Sequence, residues 1–161
     1  MNNFNWTSLG SSEIVFVNFY AGWCRFSNML EPIWNEFADK ISKEYNSQHV
    51  LVAKVDADQE KVIAAQNGIN KYPTLKIYRY GVLVKKEYRG ARTSEAFQNF
   101  IKEQLVSKLK VVESAAELQL LRDEKPTIMG FFDNKETDNY KTFMKLANIL
   151  RDRVEFVAAI G

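Results

Sequence analysis

The sequence predicts an α/β protein: a central mixed sheet flanked by helices, then a second, incomplete unit of the same kind. Three observations predict it. Short apolar runs rich in Val, Ile and Phe alternate with segments whose apolar residues recur at helical spacing. Up to about residue 105 the order is β-α-β-α-β-β-α: parallel strands joined by helices, then an antiparallel hairpin and a closing helix. From about residue 110 the order β-α-β-α-β starts again and stops before a hairpin. The expected units are 1–107 and 108–161.

Each element has its own signal. Ile14 to Tyr20 is a buried strand. Phe26, Leu30, Ile33, Trp34, Phe37, Ile41 and Tyr45 mark a helix over 24–45, which Pro32 should kink. Val50 to Val55 is a second buried strand. Asp58 is placed to cap a helix over 59–66 that Asn67-Gly68 ends. Leu75 to Arg79 and Val82 to Tyr88 form a hairpin about Tyr80-Gly81. Thr93 caps a helix to about Leu105. In the second unit, Lys110 to Glu113 is a strand, and Ser114 and Glu117 form a capping box for a helix to about Asp123. Thr127 to Phe132 is a strand, Thr137 or Asp138 caps a helix to about Arg151, and Val154 to Ile160 is the last strand.

Composition removes several function classes. Net charge is +2 with the basic residues dispersed, so no nucleic-acid footprint is present. Arg79, Lys85, Lys86, Arg89 and Arg92 read as a solvated face. No apolar run reaches the ~18 residues of a membrane span. One cysteine excludes an internal disulfide and a cysteine zinc site, and the single histidine, His49, has no metal cluster to join. No metal or cofactor is expected. Asn5-Trp6-Thr7 fits a glycosylation acceptor, which matters only in a luminal protein.

The single cysteine is the informative residue. Cys24 sits at a strand-to-helix turn in Trp23-Cys24-Arg25-Phe26-Ser27. A sulfur there lies among free amide hydrogens that lower its pKa. Dithiol oxidoreductases carry a second cysteine three positions on. Here that position is Ser27, whose hydroxyl can donate to the sulfur but cannot resolve a disulfide adduct. Pro73 reads either as an ordinary trans proline at a strand start or as a cis proline that turns its loop's backbone toward the sulfur, with Tyr72 and Thr74 then offering backbone groups to an extended partner. Trp23, Phe26 and Tyr72 can form an apolar collar, although Phe26 is equally placed to join the core. Arg25 and Arg92 are the cationic candidates to favour the thiolate, although Arg25 is equally placed to be a solvated side chain.

These residues carry a resemblance. Phe19-Tyr20-Ala21-Gly22-Trp23-Cys24 resembles the redox-site approach of the protein disulfide isomerase family, whose domains have the thioredoxin fold. Pro32, Tyr72-Pro73-Thr74 and Gly90-Ala91-Arg92 match that family's helix proline, cis-proline loop and arginine loop. Trp23 to Ser27, Lys71 to Lys76, Glu87 to Gly90 and the later stretch Asp138 to Leu150 are similar to a monothiol, retention-type branch of the family. Two departures stand out. Asn18 occupies the place of a buried, proton-moving acid, and the usual first strand, expected before Asn3-Phe4, is missing. The chain therefore reads as a fragment of a longer protein.

The resemblance implies a thiol-mediated retention and chaperone factor of the endoplasmic reticulum lumen, cycling to the ER–Golgi intermediate compartment. Its implied partners are cysteine-bearing client proteins and oxidative-folding enzymes, held as mixed disulfides through Cys24. Oxidoreductin oxidases, a luminal peroxiredoxin and unassembled multimeric secretory proteins belong to that set. A pH-gated tail, zinc-binding histidines and a retrieval signal are also implied, outside these 161 residues. The implied roles are Cys24, Ser27 and Arg92 for the chemistry, and Trp23, Arg25, Phe26, Tyr72, Pro73 and Thr74 for substrate binding. Two alternatives stay open: a slow monothiol reductase or isomerase that borrows glutathione, and a non-redox interaction module.

Overall fold

The computed structural model describes residues 5–120 and 126–161. The chain divides into two units, Met1–Gln104 and Leu105–Gly161, so the junction expected at 107/108 falls inside the second.

In the first unit a 3-10 helix, Trp6–Ser11, leads into strand β1 (Ile14–Tyr20). β1 is central: parallel to β2 (Val50–Asp56), antiparallel to β3 (Thr74–Arg79), with β4 (Val82–Leu83) outside β3. Its largely apolar run, interrupted only by the buried Asn18, follows from burial on both faces. On one face Phe16 meets the rings of Trp34, Phe37, Tyr88, Phe97 and Phe100 at 4.9 to 5.9 Å. On the other, Val15, Val17 and Phe19 pack with Ala53, Val55 and Tyr78 beneath Trp6, Leu9 and Ile63.

Helix α1 (Arg25–Glu44) buries Ser27, Leu30, Trp34, Phe37, Ala38 and Ile41, the stripe that 3.6-residue spacing puts on one side. Trp34 Nε1 donates to the Ala53 carbonyl at 3.1 Å and pins α1 to β2. Pro32 lies inside the helix on its exposed side.

Helix α2 (Lys61–Gln66) departs from expectation at its start. Its N-cap is Glu60, without a side-chain bond, and Asp58 caps nothing. Asp56, the last residue of β2, accepts instead from the amides of Asp58 and Gln59 at 3.0 and 3.3 Å. The acid two residues earlier holds the loop because the strand fixes its position. Gly68, at φ +66°, ends α2 as expected.

The hairpin turn has positive φ at both Tyr80 (+48°) and Gly81 (+81°), the signature of a tight turn matched to strand twist. A Cβ on Gly81 would lie 3.0 Å from Gly10 Cα, which together with the positive φ favours glycine there. The strand expected to reach Tyr88 stops at Leu83. Tyr78 faces Leu83, so straight pairing would bring Lys86 to Leu75. Tyr88 N–H reaches the Leu75 carbonyl instead, and the extra residues bulge out around Lys85 and Lys86. Arg79 also differs from the expected solvated face. It is buried, and its guanidinium donates to the Gln104 carbonyl and side chain at 2.8 and 2.6 Å. Helix α3 (Ser94–Leu105) is capped by Thr93, whose hydroxyl accepts from Ala96 N–H, and buries Phe97 and Ile101.

The second unit is a three-stranded parallel sheet in the order β5 (Lys110–Val112), β7 (Glu155–Ile160), β6 (Thr127–Phe132). Helix α4 (Ala115–Leu120) starts at Ser114, which accepts from Glu117 N–H, while Glu117 reaches back to the amide of Glu113. The end expected near Asp123 lies outside the described residues. Thr137 caps helix α5 (Asp138–Ile149). Phe156, Val157 and Ala158 form the buried centre of β7. β6 is an edge strand among the described residues, with Ile128, Met129 and Phe131 exposed.

Candidate functional site

The site is built where β1 hands over to α1. After Tyr20 the chain turns through Ala21-Gly22-Trp23, and Cys24 N–H donates to the Ala21 carbonyl at 3.0 Å. The Asn28 side chain donates to the Gly22 carbonyl at 3.1 Å and holds the turn against the helix. Cys24 is the N-cap of α1, extended at φ −84°, ψ 122°. Its side chain makes no capping hydrogen bond, and the first-turn N–H groups of a helix have no intrahelical partner.

That geometry sets the electrostatics. The Cys24 pKa lies below the ordinary thiol value, first because the Ser27 backbone N–H stabilises the thiolate. Desolvation pushes the other way. The Phe26 N–H, the Ser27 hydroxyl and the charge of Arg92 outweigh it. Ser27 itself is 2% exposed, and its oxygen accepts from Ala21 N–H at 3.3 Å.

Tyr72–Pro73 is a cis peptide. The neutral Cys24 thiol donates to the Tyr72 carbonyl at 3.4 Å, so the loop and the sulfur do meet. Pro73 is buried. Thr74 is also buried, and its hydroxyl is committed to the Lys71 carbonyl at 2.7 Å. Its side chain is a loop brace, which leaves only backbone for a partner.

The alternatives for Phe26 resolve: it is 59% exposed. Trp23 is 71% exposed and meets Tyr72 edge-on at 5.6 Å. Arg25 and Arg92 are both exposed. Sequence reasoning missed Met29, 58% exposed and one turn beyond Phe26 on the same face. The i, i+3 spacing off the buried stripe was its available signal. Among the described residues no cluster of His, Cys, Asp or Glu is fit to hold a metal, and no helix is long and apolar enough to cross a membrane.

Comparison with known families decides the wider question. The Thioredoxin family model matches residues 1–103. The chain belongs to the thioredoxin family. Within this family, it is 43% identical to human endoplasmic reticulum resident protein 44 over 154 residues, covering 95% of this chain and 38% of that relative. It is 34% identical to protein disulfide-isomerase of Drosophila melanogaster, covering 88% of this chain and 28% of that one. Among solved thioredoxin-family structures, the zinc-bound form of human ERp44 superposes with a TM-score of 0.90 at 42% identity, covering 97% of this chain and 43% of that chain. The similarity therefore runs to the protein disulfide isomerase group. It includes the second, partial thioredoxin-like unit. The chain spans less than half the length of the relatives it matches.

Proposed function

We propose that this chain carries the capture site of a thiol-retention factor of the early secretory pathway. Cys24 holds cysteine-bearing client proteins and oxidative-folding enzymes as mixed disulfides. The supporting observation is a single one: an activated sulfur at a helix N-terminus, with a buried serine where a resolving thiol would stand.

The chemistry balances without a cofactor. The Cys24 thiolate attacks one sulfur of a client disulfide. A new S–S bond forms, the old one breaks, and the electron pair leaves on the second client sulfur, which takes a proton from water. Ser27 offers no second thiolate, so the adduct persists until an external thiolate attacks it. Ionisation of Cys24 also ends its donation to Tyr72. The Tyr72 carbonyl is then open to a backbone N–H of an extended client segment. Trp23, Phe26 and Met29 supply apolar contact for chains not yet folded. The endoplasmic reticulum lumen is the proposed setting, with cycling to the intermediate compartment, because the relative carries residency in its name.

The test is capture of adducts on non-reducing gels from thiol-blocked cell extracts. Cys24→Ser is expected to abolish them. Adducts that persist in Cys24→Ser overturn the proposal and favour a non-redox interaction module.

A further inference from the structure

Directly behind Ser27, between α1 and strands β1 and β2, lies a cavity of about 10 Å³. Asn18, Tyr20, Ser27, Glu31, Trp34 and Lys54 border it. That volume is the space of one water molecule. Asn18 is 2% exposed, and its side-chain oxygen has no hydrogen-bond partner among the described residues. A buried acceptor left unmet is destabilising, and polar walls make the cavity hospitable to water. The neighbours do not meet it. The Trp34 indole N–H is committed to Ala53, and Lys54 pairs with Glu31 at 3.3 Å.

We propose that this cavity is a binding site for one buried water, which donates to Asn18 Oδ1 and to Ser27 Oγ and thereby aims the Ser27 hydroxyl at Cys24. The donor arithmetic supports it. A hydroxyl has one proton and two lone pairs. One lone pair of Ser27 takes Ala21 N–H at 3.3 Å. The water takes the second, and the proton is left for the sulfur. The Lys54 ammonium, with protons beyond the one facing Glu31, is the donor to the water's own oxygen. Asn18 is then a positioning residue: it acts on the sulfur only through water and Ser27. Of the titratable groups at hand, Tyr20, Glu31 and Lys54 border the cavity, and Arg92 acts on the sulfur from outside it. Glu31 and Lys54 form a pair with no net charge.

The positioning role rests on Cys24 being the reactive atom; the water site does not, so the two fail separately. Water–protein NOE spectra of the whole chain test the site. Cross-peaks from a long-lived water to the Ser27 amide and the Asn18 side-chain amide are expected. The Ser27 cross-peak disappears in Asn18→Val, which suits a strand and lacks the acceptor, and survives in Asn18→Asp, which keeps it. No cross-peak in the unsubstituted chain, or one that persists in Asn18→Val or is lost in Asn18→Asp, overturns the site. Iodoacetamide alkylation of Cys24 tests the role. At a pH below the unsubstituted midpoint, Asn18→Val is expected to react about tenfold more slowly, the effect of losing one hydrogen bond to the charged thiolate. An unchanged rate overturns the positioning role, even where the water is present. Absence of activated alkylation in the unsubstituted chain identifies failure of the Cys24 reading instead.

Discussion

The Cys24 thiol donates to the carbonyl oxygen of Tyr72 at 3.4 Å, joining the start of α1 to the loop that enters β3. This contact exists only for the neutral thiol, because a thiolate has no proton to give. The ionised sulfur is served by the Ser27 and Phe26 amides, the Ser27 hydroxyl and Arg92. Protonated and ionised forms thus have different partners, and ionisation opens the Tyr72 carbonyl as it arms the sulfur.

The ionised form is favoured, so alkylation of Cys24 against pH should show a midpoint below the free-thiol value of roughly 8.5. The sign for stability follows from the same shift. A depressed folded-state pKa adds stability above the unfolded value, and that is lost as pH falls through the folded one. Ser27→Ala should raise the alkylation midpoint more than Arg92→Ala, because a hydrogen bond from the hydroxyl acts at contact and an exposed arginine is screened. The reverse order counts against this account of the thiolate.

The apolar collar should matter for clients and not for folding. Trp23→Ser with Phe26→Ser removes two exposed side chains, so stability by chemical denaturation should stay within about 0.5 kcal/mol of the parent. Capture of an unfolded, disulfide-bearing client should fall severalfold, while alkylation of Cys24 by a small reagent stays unchanged. Equal capture by parent and variant excludes the collar from recognition.

Phe16 should be among the most costly residues to truncate. It is fully buried and touches five rings drawn from α1, α3 and the segment after β4. Phe16→Ala should lose about 3–5 kcal/mol in urea unfolding. A loss under about 1 kcal/mol would mean that the aromatic cluster is not the core of the first unit.

Glu87 ties the hairpin return to the proline loop. Its carboxylate meets Lys71 at 3.0 Å and Arg89 at 2.8 Å, and the Lys71 contact leads the lowering of its pKa. Its contribution is present above the unfolded glutamate value of about 4.3 and is lost as pH falls through the lower folded value. Both partners are largely exposed, so the effect is at most about 1 kcal/mol. Glu87→Gln should lower stability at pH 7 by that much and leave stability near pH 2 unchanged, by urea unfolding at each pH.

Much of this was legible because burial here follows period. The α1 stripe, the double-faced burial of β1, and Cys24 at the strand-to-helix turn all follow from spacing alone. The cis geometry at Pro73 was expected from the need to face the sulfur. What escaped were features set by strand pairing. Asp56, and not Asp58, holds the loop before α2, because the end of β2 fixes where its carboxylate lies. The bulge at Lys85 and Lys86 depends on where Tyr88 docks against Phe16. The cavity behind Ser27 arises only when Asn18 and Lys54 come side by side under α1, a juxtaposition of residues 36 positions apart in the sequence.

The most direct measurement is the lifetime of a Cys24 mixed disulfide with a model thiol peptide, followed by intact mass in the absence of added thiol. The unsubstituted chain should keep the peptide, and Ser27→Cys should expel it as an internal disulfide forms. If the unsubstituted chain sheds the peptide as fast as Ser27→Cys, the absence of a resolving thiol does not govern retention, and the account is contradicted.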